Sequence, residues 1–196
     1  MSKRDQIFSA ALTLFIEHGF DKTPTSAISK AAGVATGTLF HHFKTKEDLI
    51  NDLYLEIKFA MLEHLATKMA LASNLTGNAE VGLRAQIKAL WVNMIDWVLQ
   101  HPEEYRFLAQ FGESALIASN THEKVEEAFA DYQALFTQGI EEGLLYDLPV
   151  DLLLSLTTSH IFASCNYFLH QPELWQDSEM QREVFTSFWS LMAKVK

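Results

Sequence analysis

Thr25, Thr36, Gly37, Thr38, Phe40, His41, His42 and Lys46 crowd into one short stretch and bring together hydroxyls, imidazoles, an aromatic ring and an ammonium, with no acid among them. Residue types of this kind donate to phosphate oxygens and reach base edges, so the chemistry they suit is contact with a nucleic acid. The stretch TSAISKAAGVATGTLFHHF, residues 25–43, reads as two short helices joined by a tight turn at Gly33, where positive φ costs least. Ile28, Ala32, Val34, Leu39 and Phe43 supply the apolar contacts that cross the two helices, which leaves the polar set facing outward. An ordinary helical hairpin of a core carries the same spacing and is the plain alternative.

The elements that position this face are helical. Ile7, Ala11, Leu14 and Phe15, with Ala10 beside them, predict a first helix that ends at Gly19. Either Thr23, ahead of Pro24, or Thr25 is expected to cap the second helix, whose free amides with the Thr25 hydroxyl would offer a phosphate a seat. KTKEDL at 44–49 predicts a fourth helix with Thr45 and Asp48 as a capping box, running through Leu53, Ile57, Met61 and Leu65 to about Ala72. Lys46 in its first turn opposes the helix dipole, which points to an anion arriving from outside.

SNLTGNAE at 73–80 reads as a loop, followed by five helical segments. Their stripes are Leu83, Ile87, Leu90, Trp91, Met94 and Val98, then Phe107, Leu108 and Phe111 in 103–117, and Val125, Phe129, Tyr132, Phe136 and Ile140 up to Gly143. Residues 150–169 are apolar around much of their circumference, and such a helix needs two partners. Ser178 with Gln181 reads as a capping box for the last helix, with Val184, Phe185, Phe188, Leu191, Met192 and Val195 as its stripe. The last two helices are therefore expected to form a self-complementary homodimer interface, with Leu153, Ile161, Tyr167, Phe168, Phe185, Phe188 and Met192 as its residues. Closing the core of a monomer is the other use of the same stripes.

The expected fold is all-α: a three-helix helix-turn-helix head over 1–46 and a helical-bundle ligand-binding and dimerisation domain over 47–196. The net charge of −10 is unevenly spread: six Lys or Arg face five Asp or Glu over residues 1–50, and nine face twenty over the rest. An acidic body repels phosphate and leaves only the front to approach DNA. No apolar run approaches the roughly 18 residues of a membrane span, and residues 1–6 lead into an amphipathic helix rather than a signal core, so a soluble, cytoplasmic protein is expected. Cys165 is the one cysteine, which excludes an internal disulfide and suits a small buried role.

GVATGTLFHHFKTKEDL resembles the signature of the tetracycline-repressor (TetR) family of bacterial transcription regulators, and the resemblance covers residues 7–53. It implies that Thr25 meets a phosphate, that Thr36, Gly37 and Thr38 open the recognition helix, that Phe40, His41 and His42 face the groove or its walls, and that Lys46 with its amide clamps the backbone. Family members often carry Ser and Lys where this chain has Ala35 and Thr36, and Tyr in place of Phe40. The loss of that lysine lowers the expected salt dependence by roughly one phosphate contact per subunit.

His41 and His42, adjacent on a helix, point about 100° apart and do not share a metal. No Glu-x-x-His pair, phosphate-binding glycine loop or nucleophile elbow occurs, so neither catalytic residues, a metal nor a cofactor is expected and the chain reads as no enzyme. The competing class is a helical-bundle small-molecule-binding protein or enzyme without DNA binding. The expected partners are a near-palindromic double-stranded operator and a small apolar or aromatic effector. Trp91, Met94, Phe107, Phe111, Tyr132, Phe136 and His160 are the candidate pocket residues, each also suited to plain core, and Glu113 is a candidate counter-charge.

Overall fold

In the computed structural model the described residues are 1–72 and 79–194, with side chains described except over 67–72. They form ten α-helices and one short 3₁₀ helix; among them no strand occurs, only an isolated antiparallel bridge between Leu145 and Ala193. The expected loop at 73–80 lies outside the described residues except for Ala79 and Glu80, which already belong to a helix, and Val195 lies outside as well. The chain divides into two compact units, Met1–Ala60 with His101–Glu126, and Met61–Gln100 with Glu127–Lys196.

The first unit is built from α1 (Lys3–His18), α2 (Thr25–Ala31), α3 (Thr36–His42), the start of α4 (Lys46–Ala72), α6 (Pro102–Phe111) and most of α7 (Ser119–Ala128). Helix α1 packs against α2, α3 and α6. Being enclosed on several sides, it buries Phe8 and Leu12 as well as Ile7, Ala11 and Phe15, while Ala10 and Leu14 stay half-exposed. The Phe15 ring meets those of Phe20 and Phe111, and Phe8 meets Phe43. Each such ring, fully buried, contributes about 1.5–3 kcal/mol of apolar transfer. Gly19 ends α1 at φ 77°.

The first turn of α4 carries the expected reciprocal box: the Asp48 amide donates to Thr45 Oγ1 at 2.9 Å and the Thr45 amide to Asp48 Oδ2 at 3.1 Å. The helix read over 103–117 stops at Phe111, because both the amide and the hydroxyl of Ser114 turn back to the Phe111 carbonyl.

The second unit holds the rest of α4, α5 (Ala79–Gln100), α8 (Ala130–Glu141), α9 (Val150–His170), the 3₁₀ helix (Pro172–Gln176) and α10 (Ser178–Ser190). The single helix expected up to Glu142 is two, α7 and α8, since Phe129 leaves helical dihedrals at ψ 4° and its carbonyl starts a new ladder to Tyr132 and Gln133. Helix α9 packs against α5, α8 and α10. By length and composition alone this 21-residue helix could cross a membrane, with an 18-residue window at a mean hydropathy of 1.2, contrary to the reading that no run comes close. Its inward face (Leu153, Thr157, Ser164, Cys165 and Phe168) is spent on the core, and Thr157 returns its hydroxyl to the Leu153 and Leu154 carbonyls. Asp177, not Ser178, caps α10, accepting from the Glu179 and Met180 amides, while Gln181 donates to the Trp175 carbonyl instead of closing a box.

Candidate nucleic-acid interface

The turn between α2 and α3 closes through Gly33 at φ 64°, with the Gly33 amide on the Lys30 carbonyl and the Val34 amide on the Ser29 carbonyl. Ile28, Leu39 and Phe43 are buried and hold the two helices together; Ala32 and Val34 are half-buried. Ser29, almost fully buried, adds a polar tie, its hydroxyl 3.1 Å from Thr36 Oγ1.

With Leu39 and Phe43 turned inward, Thr36, Gly37, Phe40, His41 and His42 are exposed and Thr38 is half-exposed. Phe40 leaves 45% of its surface open, an unusual outlay for a phenylalanine. The His41 and His42 rings meet edge to face at 5.6 Å. Lys22, Lys30 and Lys44 are exposed on the same unit, three cations that the motif reading left out.

Neither threonine caps α2. Thr23 is buried, with its hydroxyl 2.7 Å from the Gly19 carbonyl and 3.1 Å from that of Leu14; Pro24 holds the cap position and Thr25 is the first helical residue, half-exposed. The burial of Thr23 follows from the carbonyls left open where α1 ends. Lys46 also departs from expectation. Its ammonium donates to the carbonyls of Phe20 at 2.7 Å and Thr23 at 3.2 Å and lies 4.1 Å from the Phe20 ring centroid. The cation in the first turn of α4 is thus explained by carbonyls within the chain. At the other end of the unit, Arg4 pairs with Glu56 at 2.9 Å and covers the Phe8 ring.

Asn51 is a contact that spacing alone does not show. Its Nδ2 donates to the Glu47 and Leu116 carbonyls, at 2.8 and 2.9 Å, and its Oδ1 accepts from the Ala118 amide at 2.8 Å, tying α4 to the segment between α6 and α7. Beside it, burial pushes the Tyr54 hydroxyl up to about 12, with Glu113 adding to the shift, and the His122 ring stacks edge-on at 5.8 Å. Burial lowers the Lys58 pKa, opposed by exposed Glu113.

The candidate pocket residues do not fall in one unit. Phe107 and Phe111 are buried in the first, their rings tilted against each other with centroids 5.0 Å apart. Trp91 is buried in the second against Trp175, Phe185 and Phe188; Phe136 is buried there too, while Met94, Tyr132 and His160 are half-buried. His160 Nε2 lies 2.9 Å from Ser187 Oγ and Nδ1 lies 3.3 Å from Ser164 Oγ, and burial lowers its pKa. Burial pushes the Cys165 thiol up to about 12, so it stays protonated and unreactive.

The residues expected at a dimer interface divide as well. Leu153, Phe168, Phe185, Phe188 and Met192 are interior to the chain itself, at most 2% exposed, because the inner faces of α9 and α10 are needed to close their own unit. Ile161 is half-buried and Tyr167 is 42% exposed. Leu152, Leu156 and Phe162 stand exposed on α9 with Tyr167.

A turn-linked pair of short helices, buried on one side and polar and acid-free on the other, defines a helix-turn-helix DNA-binding protein. Residues 7–53 match the profile described as bacterial regulatory proteins, tetR family, and residues 82–190, more than half of the chain, match that of a tetracyclin repressor-like C-terminal domain. The chain belongs to the tetR family and is a ligand-responsive, DNA-binding transcriptional regulator. It is 26% identical over 171 residues to the HTH-type transcriptional repressor KstR2 of Mycobacterium tuberculosis, covering 85% of this chain and 82% of that one. The crystal structure of a tetR-family transcription regulator from Shewanella sp. PV-4 superposes with a TM-score of 0.88 at 28% identity, covering 100% of both chains. FadR of Bacillus subtilis, solved with stearoyl-CoA, shares the fold at a TM-score of 0.69 and 19% identity, over 95% of this chain and 97% of that one.

Proposed function

We propose that the chain is a cytoplasmic repressor that binds a near-palindromic operator as a homodimer, reads it with residues 1–46, and is released when residues 47–196 bind a small apolar or aromatic effector. The observation that carries this reading is the acid-free outer face of α3, where an aromatic ring and two imidazoles are spent on solvent. Thr36, Gly37 and Thr38 meet the groove at the start of α3, Phe40, His41 and His42 follow along it, and Thr25 meets a phosphate. Lys46 contributes its main-chain amide, since its ammonium is engaged within the chain. Two such heads one helical turn or slightly more apart match a twofold operator. Leu152, Leu156 and Tyr167, exposed on α9, are the surface that a second copy would cover.

The protein acts by binding, without catalysis. The effector favours a conformation in which the heads are wrongly spaced, and the coupling equals its difference in affinity for the two conformations. An apolar effector suits the aromatic interior of the second unit, and the fold accommodates stearoyl-CoA in Bacillus subtilis FadR.

Selection of bound sites from random duplex DNA tests the reading. A near-palindrome that outcompetes bulk DNA at physiological salt is expected, with His42→Ala weakening it in a protein that stays folded. Failure of every sequence to outcompete bulk DNA sinks the proposal.

A further inference from the structure

The described side chains of the second unit include four cations, Arg84, Lys88, Arg182 and Lys194, against thirteen Asp and Glu. Three of the four line a single groove of about 370 Å³ between α5 and α10. Random placement of so few cations on so acidic a unit would scatter them toward carboxylates. Instead, Arg84 and Lys88 make no ion pair among the described residues. The Arg84 guanidinium lies 5.8 Å from the Phe185 ring centroid and 5.7 Å from that of Trp189, and the Lys88 ammonium lies 5.6 Å from Phe185. Arg182 on the opposite rim is shared between Glu179 and Glu183, both at 3.2 Å and all well exposed. Such solvated pairs hold their partners weakly, so this guanidinium can be redirected.

Between the cations the floor is apolar, made by half-buried Ala85 and the buried ring of Phe185, with Val81 exposed at the rim. A fully hydrated inorganic anion would gain nothing from that floor, and a neutral apolar molecule would leave the cations unanswered. The groove lies on the flank of α10 away from Ser187, the residue that meets His160 of α9.

We propose that the α5–α10 groove binds a soluble amphipathic anion, a carboxylate or sulfonate on an alkyl or aryl body, with Arg84 and Lys88 on the head group and Phe185 beneath the apolar part. A free monomer is favoured over a lipid bilayer because the site is concave and the unit around it is acidic, which repels an anionic membrane surface. The proposal does not depend on the effector reading given above.

The test uses the full-length protein and the fluorescent fatty acid cis-parinarate as a monomer, with parinaryl alcohol as the neutral control. Saturable parinarate binding is expected, with the alcohol bound more weakly. Arg84→Ala and Lys88→Ala, both at exposed positions, each weaken it by about tenfold, as loss of a charge-assisted contact does. Thr186→Trp, which fills the groove without changing its charge, removes the binding, while Lys194→Ala leaves it unchanged. Absence of parinarate binding, or binding equally strong in the Arg84, Lys88 and Thr186 variants, overturns the proposal. So does binding to phosphatidylglycerol vesicles that these variants lose while monomeric parinarate binding persists.

Discussion

Replacing Lys46 by methionine separates two uses of one ammonium. The side chain links the first turn of α4 to the turn that follows α1, donating to Phe20 and Thr23 carbonyls at 2.7 and 3.2 Å above the Phe20 ring. Hydrogen bonds to a charged group are worth about 1.5–3 kcal/mol each, but the site is half-exposed and solvent screens it, so about 2 kcal/mol for the pair is the reasonable sum. Methionine keeps most of the stem and loses both donors. For a chain of this length that loss lowers the melting temperature by about 4–8 °C. Scanning calorimetry reads that shift, and operator titration over a range of salt reads the other quantity. An ammonium that clamped a phosphate would release a counterion, and its loss would flatten the slope of log affinity against log salt by about 0.9 per subunit. The expected result is lower stability, moderately weaker binding and an unchanged slope. A slope flattened by that amount with an unchanged melting temperature would refute the structural assignment and restore the phosphate clamp.

Asn51→Ala removes the bridge to Leu116 and Ala118 and leaves the exposed Ala118 amide to water; a loss of about 1 kcal/mol is expected, with hydrogen exchange at Ala118 markedly faster. Gly139→Ala gains about 1 kcal/mol of helix propensity yet sets a Cβ 2.8 Å from buried Leu83 and Leu145 side chains, and overpacking at about 1–3 kcal/mol prevails; the urea midpoint should fall. His160, whose pKa burial lowers from 6.5, favours the neutral ring when folded, so its unfolded form takes up a proton first. Its contribution is present above pH 6.5 and is lost as pH falls through the lowered folded value, and His160→Gln should flatten the stability profile across that interval.

The head was legible in the sequence because its determinants are local. Gly33 must take positive φ, Thr45 and Asp48 satisfy each other three residues apart, and Leu39 and Phe43 share one helix face, so periodicity and capping chemistry alone point to the same elements. Helix α9 was legible as an element for the same reason, its bounds set by an uninterrupted helical pattern after Pro149. The break at Phe129 was not, since the apolar spacing runs through it and only main-chain dihedrals record the interruption.

Tertiary structure decided which partner each side chain received. Composition cannot say that Lys46 meets Phe20, that Asn51 meets Ala118, or that Thr23 turns its hydroxyl back onto α1, because those partners lie on other elements. The same holds for the apolar residues of α9 and α10: spacing marks Leu153, Phe168, Phe185 and Phe188 as buried, but only the packing against α5 and α10 assigns that burial to the chain's own core and leaves Leu152, Leu156 and Tyr167 to the outside. Hydrophobic burial is proportional to area and blind to direction, so the sequence determined which faces must be covered, and the fold determined by what.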